Sequence, residues 1–167
     1  MYRKLVATAG VAVASSVLGV AAAQAASTAT STTKTVTFHL VEKQVGFKFV
    51  DNPPKQGFRA APLMGDQFAF SSELQSKSGS HAGWLEATCT VARGGTRAEG
   101  PCYGVFALKG GQLMAMAQTK LYGNAPNHIV IVGGTGVYQG ATGSVLSASR
   151  GDNSPYNDDT FTLNWAA

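Results

Sequence analysis

"HIVIVGGTGVYQGATGSVLSASRG", His128 to Gly151, sets six glycines within and around two strand-like runs. A dinucleotide site needs G-x-G-x-x-G between a strand and a helix, so that the helix N-terminus meets the pyrophosphate. Here Gly134 and Gly136 are followed by Gly140 rather than by a glycine three residues on, and "SVLSASRG" alternates as a strand does. A phosphate loop fails for want of G-K-[ST]. The glycines therefore serve a tight turn and bulge between neighbouring strands. Gly133, Gly134, Gly136 and Gly140 are expected to supply positive φ or a close backbone approach that a Cβ would block. Nothing in the chain calls for a cofactor.

Working outward from that turn, no segment after the first 25 residues sustains a 3.6-residue apolar period. Short β-branched and aromatic runs instead recur between Gly, Pro, Asn and Ser clusters. The expected strands are Thr35–Glu42, Gln67–Ser72, Gly83–Val91, Tyr103–Leu108, Gln112–Lys120, His128–Val132, Gly143–Ser149 and Thr160–Trp165. An all-β chain with about eight strands can close into a small antiparallel barrel and so remove its exposed edges. A sandwich of two open sheets fits the same periodicity.

The ends of the chain read differently. "MYRKLVATAGVAVASSVLGVAAAQA" has a basic start at Arg3 and Lys4, a short apolar core and an A-x-A ending at Ala25, the pattern of a secretory signal peptide over residues 1–25. A membrane anchor is the alternative, for which Leu5 to Val20 is short. Residues 26–34, "ASTATSTTK", are too polar to pack and are expected to form a disordered tail, leaving 35–167 as the single domain. The whole chain has 167 residues, 44% hydrophobic and 13% charged, with a formal charge of +4. Loss of Arg3 and Lys4 with the signal would leave 11 basic against 9 acidic residues. No basic patch with interleaved aromatics remains, so nucleic acid is not an expected partner. After cleavage neither is a membrane, and the expected location is extracellular.

Export makes a disulfide between Cys89 and Cys102 the expected state, since an oxidising compartment lets such bonds persist. Two strand-like runs flank a turn around Gly94 and Gly95, so a hairpin centred there sets the two nearly opposite. A lone reactive thiol is the competing reading. Several other chemistries find no pattern: H-E-x-x-H, G-x-S-x-G and zinc spacings are absent. His81 and His128 have no partners at ligand spacing. "GDNSPYNDD", with Asp152, Asp158 and Asp159, is rich in oxygen donors but lacks EF-hand spacing and reads as a solvated loop at a barrel rim. No metal is expected.

"GGTGVYQGATG" and "GDQFAFSSEL" together resemble the allene oxide cyclase and dirigent protein superfamily, specifically its secreted bacterial allene-oxide-cyclase-like barrels. The pattern I-x-G-G-T-G-x-[YF]-x-G-A-x-G carries most of the likeness, which spans about Thr35 to Trp165. The resemblance implies an eight-stranded antiparallel barrel around an apolar cavity, assembled as a trimer in plant relatives. It also implies a chemistry in which a flexible, reactive, mainly apolar molecule is held so that only one cyclisation or coupling geometry is reached. The plant relatives place an acidic residue on the first strand, facing the cavity. By position in "TVTFHLVEK" the matching residue is His39, a candidate proton donor or acceptor near neutral pH. Glu42, three residues on, is expected on the opposite face.

The cyclases carry a polar cavity residue where Ser72 stands, and Phe70 shares its strand face. Phe70, Ser72, Tyr103 and Tyr138 are therefore the candidate ligand-binding residues, the tyrosines as cavity-wall aromatics. The cyclases also have a cavity cysteine where Cys89 stands, and dirigent proteins an arginine at the place of Thr142, which disfavours dirigent-type radical coupling. Two functions stay open. One is a secreted cyclase- or isomerase-like barrel steering the conversion of an apolar small molecule; the other is a lipocalin-like carrier that changes no bond. A barrel packed solid would instead mark a structural or interaction domain. A polar group projecting into an open apolar cavity favours the first.

Overall fold

Alternating side chains become eight antiparallel strands in the computed structural model, which describes residues 33–52, 61–123, 125–152 and 154–166. The expected signal segment, and the polar tail up to residue 32, lie outside those residues. The strands are β1 (Thr33–Val50), β2 (Gln67–Gln75), β3 (His81–Thr90), β4 (Glu99–Leu108), β5 (Gly111–Lys120), β6 (Asn127–Gly134), β7 (Thr142–Ser149) and β8 (Tyr156–Ala166). Each pairs with the next, and β8 pairs back to β1, so the sheet closes as a barrel and the sandwich alternative falls.

β1 departs most from expectation. Thr33 and Lys34, assigned to the polar tail, pair with Ala166 and Trp165. At its other end the strand runs eight residues beyond Glu42, through a bulge: Gln44 pairs with Ser72 and Gly46 with Ser71, leaving Val45 extra. One added residue reverses the alternation. Phe38, Leu40 and Glu42 share the face of inward Leu74 and Ser72, whereas beyond the bulge Phe47 and Phe49 pair with Phe70 and Phe68.

Inward side chains fill one end of the barrel. Phe161 stacks on Phe38 with ring centroids 4.6 Å apart and meets the edge of Phe106 at 5.0 Å. Leu74, Leu113 and Leu163 around them are fully buried. Such burial is worth about 1.5–3 kcal/mol for each large apolar side chain. At the other end a smaller cluster joins Phe68, Val91 and Ala98 to Cys89 and Cys102, which face each other across β3 and β4 and form a disulfide.

The glycine turn connects β6 to β7 through a 3-10 turn over Gly136–Tyr138. Gly136 has φ +60°, and a Cβ there would lie 2.1 Å from the carbonyl oxygen of Gly110. Gly134 is held by close approach instead, since its Cβ would meet the Tyr138 carbonyl oxygen at 2.4 Å. Gly140 takes a positive φ. Gly133 departs from expectation: its φ is ordinary and a Cβ there would meet nothing within 4 Å.

Candidate functional site

A single row of register-paired residues shows how the cavity arises. Phe70 pairs with Ala87, Ala87 with Gly104, Gly104 with Ala115 and Ala115 with Ile131. Three small inward residues in succession leave unfilled space that large side chains would take at the closed end. The result is a cavity of about 280 Å³ in the disulfide half of the barrel, walled by Phe68, Phe70, Leu85, Phe106 and Ile129. Phe47, Lys120 and Tyr122 stand at its mouth, all substantially exposed.

Glu42 is the carboxylate in this wall. Its side chain is buried, accepting a hydrogen bond from Ser72 Oγ at 2.7 Å on one oxygen and from Asn157 Nδ2 at 3.0 Å on the other. Two donors from β2 and β8 fix the carboxylate plane. Asp159 lies on the same inner surface, opposite Leu40 of β1 and Ser147 of β7. It is 1% exposed, and neither carboxylate oxygen has a well-formed hydrogen bond. Burial, then the nearby negative charge of Glu42, raise its pKa to about 7; the Ser147 hydroxyl works the other way and Asp158 adds slightly. Near neutral pH Asp159 therefore holds and exchanges a proton behind the cavity wall.

His39 is corrected by this geometry. It lies exposed on the outer face of β1, with Nδ1 3.0 Å from Thr160 Oγ1, because Phe38 and Leu40 on either side turn inward. Glu42 faces inward on the unbroken alternation of Phe38 and Leu40, and the bulge comes only after it. Phe70 does line the cavity, while Ser72 is fully buried and reaches it only through Glu42. Tyr103 points to the outer face of β4, 54% exposed, and touches the cavity only at its margin. Tyr138 packs against the closed end with its hydroxyl toward the Lys109 carbonyl oxygen, and burial raises its pKa. Tyr138 thus plugs the barrel away from the cavity.

In place of the expected rim loop, Asp158 and Asp159 both belong to β8. Asp158 faces out and pairs with Arg150 at 2.6 Å, which holds its carboxyl below the usual range. The signal for Asp159 lies in "DDTFTLNW", where Phe161, Leu163 and Trp165 mark one face and Asp159 continues it. No group of three or more His, Cys, Asp or Glu able to hold a metal occurs among the described residues.

The closed eight-stranded barrel defines the fold class, which is that of dirigent and cyclase-like barrel proteins. The particular likenesses are to solved structures. A pyocyanin demethylase superposes with a TM-score of 0.64 at 24% identity, covering 77% of this chain and 99% of its own. A pterocarpan synthase dirigent protein gives 0.66 at 14% identity, with 81% and 92% covered. An exo-specific intermolecular Diels-Alderase gives 0.60 at 15% identity, with 80% and 98% covered. No protein-family model matches the chain, and no curated protein matches it in sequence.

Proposed function

We propose that the barrel binds an apolar small molecule in its cavity and steers its cyclisation or stereoselective conversion, acting as an exported cyclase- or isomerase-like enzyme. The observation that carries this reading is Glu42, a buried and oriented carboxylate set in the wall of an open, mainly apolar chamber. A carrier needs only the apolar wall, and a structural barrel needs no cavity. The Diels-Alderase and the dirigent protein with the same fold support the choice. In the proposed mechanism the phenylalanine walls exclude unproductive conformers, and Glu42 receives a proton or stabilises positive charge developing on the bound molecule. His39 has no part in it. Export is supported by the Cys89–Cys102 bond; among the described residues no helix is long and apolar enough to cross a membrane. Assembly as a trimer rests on the resemblance alone.

Mass spectrometry of whatever co-purifies from the native culture medium is the first test, because it supplies the ligand. With that molecule in hand, Glu42→Gln should lower turnover at saturating ligand about 100-fold or more, beyond any change in affinity, the mark of a proton-transfer group. A molecule that binds and leaves chemically unchanged would establish the carrier instead.

A further inference from the structure

We infer that the molecule received by this cavity carries a positively charged or protonatable nitrogen on an otherwise apolar body, and that the buried Glu42–Asp159 pair is its receptor. The inference rests on the cavity being a ligand site, as proposed above, and adds the charge of the ligand. Its starting point is an imbalance. Two carboxyls stand on the inner surface at neighbouring positions of β1 and β8, and among the described residues neither forms an ion pair with Lys, Arg or His. Asp159 is the sharper case, with both oxygens buried and no well-formed hydrogen bond.

Burying a carboxyl without a partner is unfavourable, and a cation seated beside the pair offsets part of that cost. The groups acting on Asp159 are few. Glu42 faces it from β1, and Asp158 beside it on β8 is neutralised by Arg150. β7 contributes only the uncharged Ser147. Among the described cavity-lining residues the sole cation is Lys120, the last residue of β5, exposed at the mouth. The chamber wall is therefore acidic at Glu42 and largely apolar and aromatic elsewhere. Phe47, Phe68 and Phe70 line it, and aromatic rings can attract a cation as well as an apolar surface. Glu42 makes the direct contact, since it lines the cavity whereas Asp159 lies behind it.

A proton balance follows. In the empty barrel burial and the charge of Glu42 keep Asp159 partly protonated near neutral pH; a cation seated at Glu42 offsets that charge, and the proton leaves to solvent. Cation binding should then release a fraction of a proton between about pH 6 and pH 8.

The test uses three ring systems of similar shape: 9-aminoacridine, cationic at neutral pH, neutral 9-methylanthracene and anionic anthracene-9-carboxylate. Fluorescence titration of the purified barrel should show the cation binding about tenfold tighter or more than the neutral probe, with the anion weakest. Calorimetry in two buffers of different ionisation enthalpy should show proton release for the cation alone. Glu42→Gln should bring cation and neutral probe within about twofold, Glu42→Asp should retain the preference, and Asp159→Asn should abolish proton release. Phe70→Ala should weaken all the probes that bind, which places them in the cavity. Equal binding of cation and neutral probe by the unmodified protein, or a preference that survives in Glu42→Gln, would overturn the inference and leave the apolar-cavity reading intact. Failure of every probe to bind would count against both.

Discussion

At one end of the barrel the inward side chains meet across the axis; at the other they stop short. The closed end joins Phe38, Phe106 and Phe161 in one aromatic contact, with Tyr138 packed against it. The open end sets Ala87, Gly104 and Ala115 in one register row with Phe70 and leaves space for a guest. The same strands run through both, so the difference lies only in side-chain volume at alternate positions. Stability is concentrated at one end, which frees the other to hold a cavity and two buried carboxyls that a packed core would reject. The disulfide sits at the open end, where packing contributes least.

Substitutions should separate the two ends. Phe161→Ala is expected to cost about 3–5 kcal/mol in urea unfolding, because the ring is fully buried between two others. Phe70→Ala should cost clearly less stability but weaken ligand binding; equal losses would mean that the ends are not energetically distinct. Removing the disulfide by Cys89→Ser with Cys102→Ser should cost about 3 kcal/mol for a bond closing 13 residues, read from the same unfolding curves. Gly136→Val should lower stability by about 2 kcal/mol, since positive φ and the Gly110 carbonyl both oppose a branched side chain. Gly133→Ala should leave thermal unfolding within about 0.5 kcal/mol.

The open end should also respond to pH. Asp159 titrates near 3.8 when unfolded and about 7 when folded, so between those values the folded state holds more protons. Stability should therefore fall as pH rises from about 4 to 7 and level off above. Melting temperatures at pH 4.5 and 8 should differ less in Asp159→Asn, and an unchanged pH response in that variant would show that the group does not titrate as described. His39→Ala is the smallest effect expected, with stability within about 0.5 kcal/mol and ligand affinity unaltered, as for an exposed side chain.

Most of the fold is legible in alternation. "SVLSAS" and "TFTLNW" declare their faces, and the glycine turn identifies itself by failing the nucleotide pattern. The site is legible only in part. Phe38 and Leu40 already mark the inner face of β1 and carry Glu42 with them, yet the resemblance to the plant cyclases points to His39, one residue out of phase. The extension of β1 is hidden for a different reason: Val45 interrupts the period, so Phe47 and Phe49 look like residues of the wrong face. A one-residue slip leaves composition unchanged and is visible only in the pairing. The buried state of Asp159 is masked by its neighbours, since "NSPYNDD" has the polarity of a loop.

The pairing of β1 with β8, from Thr33 with Ala166 to Lys43 with Tyr156, also bears on how the chain reaches this structure. The barrel's seam joins the first described strand to the last, so closure waits until the final strand has been synthesised. Until then both β1 and β7 present an unpaired edge, and the ring of hydrogen bonds stays open. Loops of this span are entropically costly to close, which places the step among slow, long-range events in folding. The interval before closure is when the chain is most exposed to edge-to-edge association, and a finished barrel leaves no edge to which a second chain can add.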